Sequence, residues 1–130
     1  MTIEERLEKL EHKIEEMQTV IRTKQLCILN DQEEERIGMN TYMNVPMLSM
    51  TNANGQGGVS LIAFKSGPSL SLRDENGTTR AQMFVNKNYG PALRMADENG
   101  VIRALLAVLN EAGPGLVLYD ENDKPIWKAP

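Results

Sequence analysis

Residues 68–80 read PSLSLRDENGTTR, residues 91–103 read PALRMADENGVIR, and residues 114–123 open the same phrase again as PGLVLYDEND. Pro68, Pro91 and Pro114 are spaced by 23 residues each time. A period of that size marks one small supersecondary unit stacked on copies of itself, not a single irregular core. It points to an elongated, scaffold-like architecture.

Weaker copies extend the array upstream. Pro46, Leu48, Met50, Asn52, Asn54 and Gly55 align with Pro68, Leu70, Leu72, Asp74, Asn76 and Gly77. Further back, Lys24, Leu26, Ile28, Asn30 and Arg36 take the same positions, although that copy reads QEEE where the three central copies turn on glycine. The expected organisation is a repeat module over 24–130, with units 24–45, 46–67, 68–90, 91–113 and a truncated 114–130. Atypical end copies suit the capping that a stacked array needs.

Each unit reads as a β-hairpin. Leu70-Ser71-Leu72-Arg73 alternates, Asp74-Glu75-Asn76-Gly77 turns, and Ala81 to Val85 returns. Asp at the first turn position bonds to the backbone beyond it, and Gly at the fourth accepts the left-handed conformation. A four-residue loop would set Leu70 opposite Ala81 and Leu72 opposite Thr79. One face then gathers Leu70, Leu72, Ala81, Met83 and Val85. Gly-Pro pairs at 90–91 and 113–114 close units with a second turn. Residues 101–109 have helix propensity, but the aligned copies VSLIAF and AQMFV favour strand. As a strand this segment is apolar on both faces through Leu105, Ala107 and Leu109, which argues burial on both sides.

Residues 1–23 carry a different signal. Leu7, Ile14 and Ile21 fall on a positions and Ile3, Leu10 and Met17 on d positions of a heptad, with charged or polar side chains elsewhere. Thr2 is placed to cap the helix, with Glu4 and Glu5 in its first turn. About three heptads make a helix of roughly 30 Å, marginal alone in water. It needs partner helices or a folded neighbour. Arg6-Leu7-Glu8-Lys9-Leu10-Glu11 resembles the trimerisation motif of short parallel three-stranded coiled coils, in which Arg6 at g reaches Glu11 at e of the next chain. A trimer is therefore expected, through Ile3, Arg6, Leu7, Leu10, Glu11, Ile14, Met17 and Ile21. A dimer, or a helix packed on its own β-module, are the alternatives.

A lone meander of hairpins buries one face at most, and this chain has two Phe and one Trp to thicken a core. The whole pattern resembles the trimeric fibrous β-modules of phage tail fibres and bacterial surface fibres, where a short coiled coil leads into interleaved β-repeats. The resemblance implies a mainly β fold with an N-terminal α-helix: a parallel trimeric coiled coil followed by an intertwined trimeric β-shaft or prism. It also implies a virion- or fibre-associated protein whose partners are its own copies. It carries over no functional residue.

Composition narrows the classes further. The net charge of −4 belongs to residues 1–36, which hold 10 Asp/Glu and 6 Lys/Arg. No basic stripe exists for nucleic acid. The single Cys27 excludes an intrachain disulfide framework and a cysteine-rich zinc site. The start, MTIEERLEKLEHK, lacks the apolar stretch of a signal peptide, and no apolar run reaches membrane-span length. The expectation is a soluble chain, cytoplasmic when made, with no membrane insertion.

Candidate chemistry is sparse. Asp74, Asn76, Asp97 and Asn99 offer oxygens in the DENG loops, but too few for a calcium site, so turn formation is their expected role. Arg80 and Arg103 follow Asp74 and Asp97 by six residues and suggest an ion pair across each hairpin. His12 falls on position f and Cys27 lies at the junction, neither with a catalytic partner. Trp127 caps the C-terminal end or, with Tyr119, forms an aromatic platform for a sugar. No catalytic, cofactor-binding or metal residue is assigned and no cofactor is expected. The expected function is non-enzymatic: a homotrimeric structural protein whose coiled coil sets the register of a β-repeat shaft. The alternative is a trimeric binding module, taking carbohydrate or another fibre protein at inter-subunit grooves or loop rows.

Overall fold

The computed structural model describes residues 1–130, apart from the side chain of Thr19. Helix α1 spans Ile3–Thr19. The Thr2 hydroxyl accepts from the Glu5 N–H at 3.2 Å, and the Glu5 carboxylate accepts from the Thr2 N–H at 2.7 Å. This reciprocal box satisfies two backbone donors that a helix start leaves open. The other end has no comparable cap. Val20 is extended, no basic residue lies in the last turn, and Thr19, Val20 and Ile21 are all β-branched. The helix therefore stops two residues before Ile21, the last heptad position.

Ten strands follow: β1 (Gln25–Leu29), β2 (Glu35–Tyr42), β3 (Val45–Thr51), β4 (Gly58–Phe64), β5 (Gly67–Arg73), β6 (Thr79–Asn86), β7 (Gly90–Ala96), β8 (Ile102–Leu109), β9 (Gly113–Tyr119) and β10 (Pro125–Ala129). They form one open antiparallel sheet in chain order, a meander without crossovers. The segment with rival propensities is strand β8, paired on both sides. The outer sides of β1 and β10 are the open edges of the sheet.

The register differs from a four-residue loop. Leu70 faces Met83 and Leu72 faces Ala81, while Arg73 faces Thr79, so Arg80 is an extra residue in β6. The loop is longer because the Asp74 N–H bonds the Thr78 carbonyl, at 2.9 Å. A shift of two residues keeps every side chain on its expected face.

That register builds two ladders across the whole sheet. The first runs Leu26, Met39, Leu48, Leu61, Leu70, Met83, Leu93, Leu106, Leu116, Ala129. The second runs Ile28, Ile37, Met50, Val59, Leu72, Ala81, Met95, Ala104, Leu118, Trp127. Both occupy one face and contain no polar side chain. The other face carries Ser49, Ser60, Ser71, Gln82 and Arg94 as neighbours in one row.

Burial is inverted relative to an ordinary amphipathic sheet. The serine face is the sheltered one, with Ser60 at 3% and Ser69 at 5% exposure, whereas Met83 on the ladder face is 57% exposed. Ala107 is the sole buried apolar residue among those described. The accessible surface is 10278 Å², about half of the roughly 21,000 Å² expected of the unfolded chain, less burial than even a 60-residue domain achieves.

Candidate functional site

The surface that calls for explanation is the ladder face together with the heptad seam. Ile3, Leu7, Leu10, Ile14 and Met17 are all more than half exposed on α1, and Ile21 beyond it is too. Among the described residues α1 touches no strand, so the helix does not pack on its own sheet. Arg6 and Glu11 are exposed on the same helix. The sequence brings these residues to one helix, with Ile21 just past its end; among the described residues no strand covers the helix.

The turns fix how hairpins stack. Asp74 Oδ1 accepts from the N–H groups of Asn76 and Thr78, both at 3.0 Å. Asp97 does the same with Asn99 and Val101, and Asp120 with Asn122 and Lys124. Asn30 substitutes in the first unit, accepting from Gln32 and Glu34. The fourth turn residue is left-handed in each case: Gly77 at φ 81° and Gly100 at φ 80°, but Glu33 at φ 61° and Asp123 at φ 62°. Oδ2 of Asp74 pairs with Arg80 at 3.3 Å and that of Asp97 with Arg103 at 3.4 Å. Both oxygens of each carboxylate are thus engaged within the turn.

The arginines do more than pair with their own aspartates. Each sits at a β-bulge, which re-aims its side chain along the row of turns. Arg80 Nε donates to the Ala96 carbonyl at 3.0 Å and Arg103 Nε to the Tyr119 carbonyl at 3.0 Å, each in the next hairpin. Arg36, also at a bulge, reaches Ala53 at 3.2 Å. The second unit lacks such an arginine, and Asn54 Nδ2 bonds the Glu75 carbonyl instead, at 2.8 Å. Every junction between consecutive hairpins is therefore tied at this margin. The sequence shows the Arg–Asp spacing but not the forward reach, which depends on the bulge.

Electrostatics follow from the same geometry. Partial desolvation, the largest single influence, pushes the Asp74 carboxyl up. The N–H groups of Thr78 and Asn76, with Arg80, together outweigh it and hold the group below its ordinary value. Asp97 is lowered in the same way by Val101, Asn99 and Arg103. Cys27 is raised, first by its hydrogen bond to Glu35, so its thiol stays protonated and weakly nucleophilic. His12 lies 3.6 Å from Glu16 with both side chains exposed.

The sugar platform does not form. Trp127 lies opposite Leu118 on the ladder face, whereas Tyr119 belongs to the serine face. Strand alternation separates them, and the bulge at Ile126 fixes that offset. Among the described residues no three His, Cys, Asp or Glu gather to hold a metal ion.

The chain matches no protein-family model and no curated protein sequence.

Proposed function

We propose that the protein is a non-enzymatic structural module, assembled as a parallel homotrimer in which the helix sets the register of a β-repeat shaft. One observation carries the reading: a ten-stranded single-layer sheet and a helix that touches none of its strands, both bearing continuous exposed apolar surface. A lone sheet of this kind cannot offset the conformational entropy of ordering it. Partner copies supply the missing burial. The heptad seam with Arg6 and Glu11 favours three parallel chains. The engaged turn carboxylates favour a structural role over a catalytic one. A fibre or spike, of phage or cell surface, is the setting that such a module suits.

Sedimentation equilibrium tests this. The expected mass is three times 14.5 kDa at micromolar concentration. A folded monomer at that concentration sinks the proposal.

A further inference from the structure

We infer that the ladder face is the interior of the assembly, closed against the ladder faces of two further copies running parallel to it, and that the serine face is the outer wall. This rests on the homotrimeric reading and adds which surface is buried and how the sheets meet.

Area is the first support. A compact monomer of 14.5 kDa exposes about 6,900 Å², so the 10278 Å² observed is an excess of about 3,400 Å². A stable interface takes roughly 800 Å² from each partner, so the excess suffices for contact with two neighbours. Of the two sheet faces, only the ladder face is apolar from β1 to β10.

Continuity is the second. Ile21, the last heptad position, lines a hollow of about 460 Å³ with Leu26, Met39, Leu48 and Leu61. The seam thus runs into the ladder face, and copies gathered by the seam are delivered to that side of the sheet.

Charge is the third. Tips along one margin present Glu75 and Glu98, and tips along the opposite margin present Lys65 and Lys87, although the last tip of that margin carries Glu111. Glu75, Glu98, Lys65 and Lys87 are exposed and form no ion pair among the described residues. Parallel copies around a common axis set one margin of each sheet against the opposite margin of the next, glutamate against lysine. An antiparallel pair would set glutamate against glutamate.

Width is consistent with three copies. Seven-residue strands span about 24 Å, and three such walls stand about 7 Å from their axis, within reach of Leu and Met side chains; four would stand about 12 Å away and leave a void.

The test uses the full chain carrying Cys27→Ser and single cysteines at adjacent positions, Gln82→Cys on the serine face or Met83→Cys on the ladder face. Mass is measured first, then the rate of maleimide labelling. The expected result is a trimer in both, with the half-buried thiol at 82 still labelled in the folded state and that at 83, although the more exposed in a single chain, slower by about a hundredfold until the protein is unfolded. A trimer in which position 83 labels as fast as 82 overturns the face assignment and leaves the trimer standing. A monomeric parent chain removes the trimer itself. Orientation is read separately. With both Lys65→Cys and Glu75→Cys, oxidation is expected to link chains. Absence of links overturns the corner contact, and linking by Glu75→Cys alone shows antiparallel sheets.

Discussion

The guanidinium of Arg80 bonds the main-chain carbonyl of Ala96, 16 residues on and in the following hairpin, at 3.0 Å. Its other arm holds Asp74 at 3.3 Å, so one side chain clamps its own turn and ties it to the next. Arg80→Met keeps the side chain's apolar stem but removes both bonds. The loss of the carbonyl bond is expected to cost about 1 kcal/mol, read as a lower midpoint in urea. Arg80→Lys should not restore it, because a single ammonium cannot serve both partners at once. Full rescue by lysine would sink the clamp.

The depressed carboxyls of Asp74 and Asp97 set an acid limit. Their folded values lie below those in the unfolded chain, near 3.9. Their contribution is therefore complete above about pH 5 and is lost as pH falls through the folded values. Melting temperature, as these two groups affect it, should be flat from pH 6 to 8 and fall below about pH 4. The doubly substituted Asp74→Asn, Asp97→Asn chain should lose that acid-side slope. An unaltered slope would refute the assignment.

Two turns carry a correctable strain. Glu33 and Asp123 occupy the left-handed position that Gly77 and Gly100 hold elsewhere. Glu33→Gly is expected to stabilise by about 0.5–1 kcal/mol, because relief of the left-handed penalty exceeds the added chain entropy. Asp123→Gly should gain less, since Asp tolerates this conformation better. Denaturant melts of the two variants check the order.

Gly90 is the opposite case. It has φ 104°, and a Cβ there would overlap the Val108 carbonyl oxygen. Gly90→Ala should destabilise by about 2 kcal/mol or more, through both the backbone conformation and displacement of β8. A melting temperature unchanged from the parent would contradict this packing.

The helix should be separable from the sheet. Among the described residues α1 touches no strand, so removing residues 1–23 takes away the seam and, from the sheet, only Ile21 over its hollow and the Thr23–Gln25 bonds. The truncated chain is expected to associate more weakly, with a sedimentation profile that depends on concentration. Ile14→Asn, which puts an amide into the seam, should act in the same direction and lower helicity in circular dichroism.

Much of this was legible in the residues. The mainly β fold and the N-terminal helix followed from repeat period, alternation and heptads. The membership of the ladder face followed from Leu70, Leu72, Ala81 and Met83 alone, because a two-residue slip does not change faces. What escaped was whatever a bulge decides. The longer turn and the extra residue at Arg80 together moved Leu70 from Ala81 to Met83, and the bulge redirected the arginine toward Ala96. The helix end at Thr19 escaped because heptad spacing continues to Ile21 while β-branching stops the backbone first. The opposite facing of Tyr119 and Trp127 depended on the bulge at Ile126. The low exposure of Ser60 and Ser69 beside an exposed Met83 was not legible in the alternation of the strands, which predicts the reverse.

The chain-order meander has one more consequence. Because each strand pairs only with its sequence neighbours, removing or inserting a whole 23-residue unit between equivalent prolines leaves both ladders in step. Each hairpin adds two strand spacings, roughly 9.6 Å, to the long dimension of the sheet. Length is thus quantised and written directly in the gene as a number of phrases. Lengthening or shortening by whole units would change the span of the sheet without altering either of its faces.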